Sequence, residues 1–182
     1  MKLGRTLYVI DRKAWRAWLR KNHKVRWEVW LIYYKKTSGK RRIVYGDAVE
    51  EALCYGWIDS TLKRVDNERS AQRFSPRRPR SFLSETNKER VRRLIQSKKM
   101  TRHGLAIIET QFDQEFVFAA DVMAQLQRDE VTWTNFQAFP EWYRRIRVGW
   151  IDAARHRPEI FQRRLRYFLK MTAQNKKFGM VR

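Results

Sequence analysis

The stretch at residues 47–59, Asp-Ala-Val-Glu-Glu-Ala-Leu-Cys-Tyr-Gly-Trp-Ile-Asp, constrains the fold of this chain more than any other. Asp47 and Glu50 have the spacing of a helix capping box, and Gly56 suits the left-handed residue that follows a last helical turn. Apolar residues recur between them at helical spacing: Ala48, Val49, Ala52, Leu53 and Trp57. The stretch therefore predicts a helix with one apolar face, which needs a sheet to pack against.

Segments rich in β-branched and aromatic residues lie on both sides of this helix. Four of them are predicted strands, at residues 6–10, 27–34, 58–65 and 70–74. The segment 27–34 is too rich in large apolar residues for an exposed edge, so we expect it to be a central strand. Asp66 and Asn67 are typical of a hairpin turn between the last two strands.

The remaining periodic segments predict helices. Asp11 would cap a helix over residues 12–22, Ser84 one over residues 85–98, and Thr101 would start another. We expect a helix over residues 112–126, a break at residues 129–134, and two antiparallel helices at residues 141–156 and 159–172, the second begun by Pro158. The predicted fold class is α+β: a small, mostly antiparallel sheet covered by helices, followed by a helical C-terminal region. Residues 1–112 would form the α+β domain and residues 113–182 a helical extension packed on it, or the two would form one continuous domain.

The net charge of the chain is +22, from 41 Lys and Arg against 19 Asp and Glu. Residues 101–140 contain two basic and six acidic residues, whereas residues 141–182 contain twelve basic and three acidic ones. A protein of this charge attracts nucleic acid, anionic lipid or acidic proteins at low salt. The alternative is a basic composition that only decorates a solvated surface.

The composition also argues against disulfide-rich, membrane-spanning and secreted proteins. The single cysteine, Cys54, excludes an intramolecular disulfide framework. No segment contains the roughly 18 apolar residues of a membrane span, and the first residues lack the apolar run of a signal peptide. We therefore expect a cytoplasmic protein with no integral membrane segment.

A candidate ligand-binding site follows the organising helix. Asp59 comes after the turn that ends the helix, and Arg73 lies on a neighbouring predicted strand. A carboxylate and a guanidinium that meet there could orient a ligand, or could only lock the sheet to the following loop. Tyr55 and Trp57 complete the candidate site.

The segment after the last strand is a candidate anion-binding loop. Pro76 and Pro79 prevent regular structure and would hold Arg77, Arg78 and Arg80 on an extended loop. Such a loop presents guanidinium groups to phosphate or carboxylate at low entropic cost. The alternative is that Arg73, at the start of this segment, is neutralised inside the fold by Asp59 or Glu51 and that the other arginines are solvated.

No motif indicates a catalytic residue, a metal site or a cofactor. His23, His103 and His156 are far apart in the sequence and are expected to lie apart in the fold. Cys54, in the middle of the organising helix, is expected to be a small buried hydrophobic residue.

A set of short motifs spread over residues 5–110 resembles the YdeI/OmpD-associated family of small bacterial proteins. The motifs are Leu7-Tyr8-Val9, residues 15–19, Asn22-His23, Val29-Trp30-Leu31, Tyr34-Lys35-Lys36, Ser38-Gly39-Lys40, residues 50–59, residues 72–77, Ser84, Asn87, Arg90-Val91, Met100 and Gly104-Leu105-Ala106. The resemblance implies an α+β domain with a helical C-terminal region, and a family label that mentions protection from bacteriocins and association with an outer-membrane porin. It implies no biochemical activity, cofactor or catalytic residue. The tail after residue 110 departs from the family in being unusually aromatic and basic.

Two hypotheses for function follow. The first is a non-enzymatic basic protein that binds an anionic partner, nucleic acid above all, because arginine and tryptophan together can neutralise phosphate and stack on bases. The second is an enzyme or small-ligand-binding protein with a pocket near Trp57, Asp59 and Arg73. Exposed tryptophans could also form a homodimer interface. Direct binding of cationic bacteriocins is disfavoured, since a protein with a charge of +22 would repel them.

Overall fold

The computed structural model describes residues 3–78, 81–112 and 115–179. The chain divides into two compact units. The first unit consists of Met1–Phe82 and Arg90–Asp113, and the second of Leu83–Glu89 and Gln114–Arg182.

The first unit contains a four-stranded sheet. Its strands are β1 (Thr6–Leu7), β2 (Val29–Tyr34), β3 (Trp57–Arg64) and β4 (Arg69–Pro76), in the spatial order β1-β2-β4-β3. Strand β1 runs parallel to β2, and the other two pairings are antiparallel. The predicted α+β class with a mostly antiparallel sheet and the central position of β2 are confirmed. The parallel β1–β2 pair makes the sheet a mixed one.

The strand register determines which side chains share a face of the sheet. Val29 lies opposite Phe74, Leu31 opposite Gln72 and Tyr33 opposite Ser70, so these six share one face, on which the Trp15 ring lies 5.4 Å from the Phe74 ring. We call this the helix-covered face. Trp30, Ile32 and Ala71 form a small buried cluster on the opposite face.

The β3–β4 hairpin contains a bulge. Asp59 lies opposite Phe74 and Leu62 opposite Gln72, so Ser60 and Thr61 together face one residue of β4. Asp59 and Leu62 therefore both belong to the helix-covered face.

Two helices cover that face. Helix α1 (Arg12–Asn22) begins where predicted, and the Asp11 carboxylate accepts a hydrogen bond of 2.8 Å from the Ala14 N–H. Helix α2 (Tyr45–Cys54) begins three residues earlier than predicted, with Val44 as its cap. The prediction that Asp47 caps α2 is therefore wrong, and its carboxylate instead binds Arg12. Gly56, at φ 71°, has the predicted left-handed conformation.

Helices α3 (Glu85–Gln96) and α4 (Arg102–Phe112) follow the sheet. The Thr101 hydroxyl accepts a hydrogen bond from the Gly104 N–H at 3.0 Å and caps α4. A Cβ atom on Gly104 would lie only 2.2 Å from the Cys54 carbonyl oxygen, so glycine permits the close approach of α4 to the end of α2.

The second unit is helical, as predicted for the C-terminal region. Its helices after α4 are α5 (Ala120–Leu126), α6 (Glu130–Ala138), α7 (Glu141–Asp152) and α8 (Pro158–Ala173). Their shared core consists of Val122, Leu126, Phe136, Val148, Ile151, Ala154, Phe161, Leu165 and Phe168. Among the helices of the described residues, none is long and apolar enough to cross a membrane.

Two predictions for this unit are wrong. Residues 115–119 are not helical, so α5 is shorter than the predicted helix over residues 112–126. Helix α6 occupies the segment predicted as a break. Asp129 caps this helix and accepts a hydrogen bond of 2.7 Å from the Thr132 N–H. The prediction failed because a short acidic side chain, which disfavours helix interiors, also favours a helix start.

Candidate anion-binding sites

Tyr55 and Trp57 are buried in the first unit and pack against α1. Trp57 is fully buried, its ring nitrogen donates a hydrogen bond of 3.2 Å to the His23 carbonyl, and its ring lies 5.8 Å from Trp18. Tyr55 is 5% exposed, with its ring 5.0 Å from His23 and 5.5 Å from the Arg16 guanidinium. Both side chains are thus part of the core of this unit.

Asp59 and Arg73 lie on opposite faces of the sheet. The register pairs Asp59 with Phe74, and Arg73, one residue away along β4, therefore points to the other side. The proposed meeting of these two side chains is wrong. The Asp59 carboxylate accepts a hydrogen bond of 2.5 Å from the Tyr45 hydroxyl, while the Arg73 guanidinium donates one of 2.6 Å to Glu28 and contacts Ser60 at 3.4 Å.

The loop after β4 presents fewer arginines than predicted. Arg77 is 5% exposed and donates hydrogen bonds to the carbonyls of Ser81, at 2.8 Å, and Phe82, at 3.1 Å. Burial lowers the pKa of Arg77. The prediction that its guanidinium is displayed to a ligand is wrong, because the side chain turns inward to bind the backbone of its own loop. Arg78 is exposed, and Arg80 lies outside the described residues.

The helix-covered face contains a pocket that the sequence did not predict. Tyr45, whose hydroxyl binds Asp59, is one of the residues that line it. Its volume is about 330 Å³, and it is lined by Tyr33, Arg42, Tyr45, Leu62, Ser70 and Gln72. The available signal was the Arg41-Arg42 pair just before α2, close to a tyrosine at the start of that helix. We call this the Tyr33 pocket.

Sequence reasoning also left unassigned a basic surface on α8. Arg163, Arg166 and Lys170 are exposed and recur at helical spacing, with Tyr167, which is 46% exposed, between them. We call these four residues the α8 basic face. The three cations form no ion pair within the described part of the chain.

The surroundings of the α8 basic face are mainly basic, with one acidic residue among them. The partly buried Arg164 lies over Trp150, with its guanidinium 4.6 Å from the ring centre. Burial, and then repulsion from Arg157 and Arg163, lower the pKa of Arg164. Three acidic side chains of this unit bind other arginines: Asp121 and Asp152 bind Arg155, and Glu141 binds Arg145. One acid, Glu159, shares a shallow groove with Gln162, Arg163 and Arg166.

Cys54 is buried in the core, and His23 and His103 pack against each other. Cys54 is buried, and burial raises the pKa of its thiol. His23 and His103 were expected to lie apart, but their rings are 4.9 Å from each other. Burial, and then repulsion from His23 and Lys24, lower the pKa of His103. Within residues 3–78, 81–112 and 115–179, no three His, Cys, Asp or Glu side chains are grouped as a metal site would require.

Comparison with known families gives two matches. Residues 7–107 match DUF8412, a domain of unknown function, and residues 115–175 match the family described as bacteriocin-protection, YdeI or OmpD-associated. The resemblance to the latter family is confirmed, but the matching residues differ from those expected. The match covers residues 115–175 of the tail, whereas the motifs that carry the resemblance lie in residues 5–110. No curated protein and no solved structure matches the chain.

Proposed function

Since the chain belongs to the DUF8412 family through residues 7–107 and matches the YdeI/OmpD-associated family at residues 115–175, we infer from its surface that it is a basic, non-enzymatic binding protein. Its partner is anionic, and nucleic acid is the partner that its surface fits best. The observation that carries this proposal is the α8 basic face.

The spacing of the three cations suits a nucleic-acid backbone. Arg163 and Lys170 are seven residues apart on one helix, which corresponds to about 10.5 Å along its axis. A DNA strand presents one phosphate per about 3.4 Å of axis, so about three phosphates span the same length. Three cations against three phosphates is a matched charge pattern, and the exposed Tyr167 ring adds a surface on which a base can stack.

A membrane surface fits the α8 basic face less well. A helix that lies in a lipid interface inserts its apolar side among the acyl chains. The apolar side of α8, which includes Phe161, Leu165 and Phe168, is already buried in the core of its own unit. Among the described residues of the outward side, Tyr167 is the large apolar contribution, and this favours a hydrated, polyanionic partner over lipid.

The family label suggests a role in protection from bacteriocins. A protein with a net charge of +22 would repel cationic peptides. We therefore place any protective role in competition for anionic targets, or in an effect on the cell envelope, rather than in sequestration of the peptide. We propose a cytoplasmic location, where nucleic acid is accessible.

The test is binding of the purified, nuclease-treated protein to short single- and double-stranded DNA and RNA at different salt concentrations. Replacing Arg163, Arg166 and Lys170 by alanine should reduce the slope of log K against log salt by about 2.7, at about 0.9 per lost phosphate contact. Over a range from about 50 to 200 mM, these contacts account for about 40-fold in affinity. The matched control replaces Lys13, Arg20 and Lys21, which removes the same charge from exposed positions on helix α1.

The comparison of these two variants decides the proposal. A large loss for the α8 variant and a small loss for the α1 variant would support it. Equal losses would show that net charge, not the α8 basic face, governs the binding. Equally weak binding to DNA, RNA and heparin, or tighter binding to vesicles that contain anionic lipid than to nucleic acid, would overturn it.

A further inference from the structure

The Tyr33 pocket of the first unit contains a buried hydrogen-bond donor. Tyr33 is 6% exposed, and no described residue forms a hydrogen bond with its hydroxyl. Leaving a buried hydroxyl unsatisfied costs about 1–3 kcal/mol, so such groups normally have a partner. Burial, and then the nearby Tyr45 and the Asp59 carboxylate, raise the pKa of Tyr33, so the group remains a protonated donor at neutral pH.

Residues from three strands and from the start of a helix together form the pocket. Tyr33 lies opposite Ser70, and Leu62 opposite Gln72, so all four point to the same face of the sheet. Tyr45 opens α2 and closes the pocket from the side, held by its hydrogen bond of 2.5 Å to Asp59. This hydrogen bond holds the Tyr45 ring in one position.

A cation stands at the entrance of the pocket. Arg42 is exposed, with its guanidinium 5.9 Å from the centre of the Tyr33 ring. It forms no ion pair within the part of the chain that the structure describes. A guanidinium over an aromatic ring is held in orientation and keeps its forked edge free for a carboxylate.

We propose that the Tyr33 pocket binds a small molecule with one carboxylate group and an apolar body. The carboxylate would accept hydrogen bonds from the Arg42 guanidinium and the Tyr33 hydroxyl, and the body would lie against Leu62 and the Tyr45 ring. The nearby Asp59 carboxylate repels a doubly charged phosphate about twice as strongly as it repels a monoanion, so a monoanion is the better fit. A volume of about 330 Å³ is at the lower end of the range for ligand pockets, which suits a metabolite rather than a polymer.

This site is independent of the proposed nucleic-acid interface. It lies in the first unit, whereas the α8 basic face lies in the second. A small molecule held by two charge-assisted hydrogen bonds in a partly apolar pocket should also bind with weak dependence on salt, unlike a polyanion.

The probes for the test are benzoate and hexanoate, an aromatic and an aliphatic monocarboxylate, with benzamide as the neutral counterpart of benzoate. For molecules this small we expect weak binding, with a dissociation constant of about 1 mM. Their binding to the full chain is followed through amide chemical shifts, and we expect the changes to centre on Tyr33, Tyr45 and Ser70. Benzamide should bind more weakly than benzoate.

Two conservative variants make the proposal falsifiable. Tyr33→Phe keeps the ring and removes only the hydroxyl, and Arg42→Gln removes the guanidinium from the exposed entrance, so neither change disrupts the core. Each should weaken benzoate binding about tenfold or more, the usual effect of losing a hydrogen bond to a charged group. The matched control, Arg41→Gln, removes the same charge one residue away, outside the pocket lining, and should have little effect.

Four outcomes would overturn the proposal. They are no binding of either carboxylate, chemical-shift changes centred away from the pocket, equal binding of benzoate by the wild type and Tyr33→Phe, and equal losses for the Arg41→Gln and Arg42→Gln variants. The last outcome would indicate that general positive charge attracts the probe.

Discussion

The contact between α1 and α2 depends on one buried carboxylate, that of Glu51, and this makes Arg12→Ala an informative change. Glu51 is 3% exposed and accepts hydrogen bonds of 2.7 Å from Arg12 on one oxygen and from Arg16 on the other. Arg12 also binds Glu50 at 2.7 Å and Asp47 at 3.2 Å. Burial opposes the charge of Arg12, but the hydrogen bonds to Glu51 and Glu50 outweigh it and raise its pKa. The arginine therefore stays charged.

The size of the expected loss of stability follows from the charge on Glu51 that Arg12→Ala leaves with one partner fewer. Removing one partner of a buried ion pair costs about 3–5 kcal/mol, because the remaining charge is uncompensated. Here Arg16 still binds Glu51, and the Arg12 side chain is 30% exposed, which places the loss for the buried pair at the lower end of this range. The more exposed pairs with Glu50 and Asp47 add less than about 1 kcal/mol each. We expect the free energy of unfolding to fall by about 3 kcal/mol.

Urea unfolding, followed by the fluorescence of the tryptophans that pack in this unit, measures the effect. The matched control is Lys13→Ala in the first turn of the same helix, where the exposed side chain forms no ion pair with any described residue. The control should change the free energy of unfolding by less than about 0.5 kcal/mol. A loss below about 1 kcal/mol for Arg12→Ala, or equal losses for the two variants, would refute the reasoning.

Two further predictions concern the first unit. Gly104→Ala should destabilise it by about 2 kcal/mol or more in urea unfolding, because the added Cβ would meet the Cys54 carbonyl at 2.2 Å. The control is Gly46→Ala in α2, where an added Cβ would have nothing within 4 Å; it should be neutral or stabilise by up to about 1 kcal/mol. Equal effects of the two substitutions would contradict the close contact between α4 and the end of α2. Glu28→Gln should lower stability at about pH 7, and the difference from the wild type should shrink as the pH falls below about 4.5. The hydrogen bond from Arg73 holds the pKa of Glu28 below its ordinary 4.5, so the contribution of Glu28 is present above that value and is lost as the pH falls through the lowered pKa. A wild-type-to-variant difference that does not shrink as the pH falls would show that the charge of Glu28 is not involved.

Local signals in the sequence predicted much of the fold. Asp11 and Pro158 mark helix starts through hydrogen-bonding capacity and a fixed backbone angle, which act within a few residues. The density of apolar residues in β2 predicted its central position. Helix α6 was missed because Asp129 is equally compatible with a break and with a helix cap, and its local sequence does not distinguish the two.

The candidate sites were predicted less well, for a physical reason. Whether Asp59 meets Arg73 depends on the register of two strands, and a shift of one residue reverses the face of every side chain. Likewise, Arg77 turns toward backbone carbonyls that only the folded loop brings together. The Tyr33 pocket combines residues from β2, β3, β4 and the start of α2, and such a set emerges only from tertiary packing.

The bulge in β3 gives the hairpin one position at which the length of the chain can change. If either Ser60 or Thr61 were deleted, Asp59 would still oppose Phe74 and Leu62 would still oppose Gln72, now in a regular ladder. No side chain would change face. A deletion elsewhere in β3 would turn the residues beyond it to the other side of the sheet. Insertions and deletions that arise in this hairpin during evolution should therefore be tolerated at residues 60–61 and eliminated along the rest of the strand.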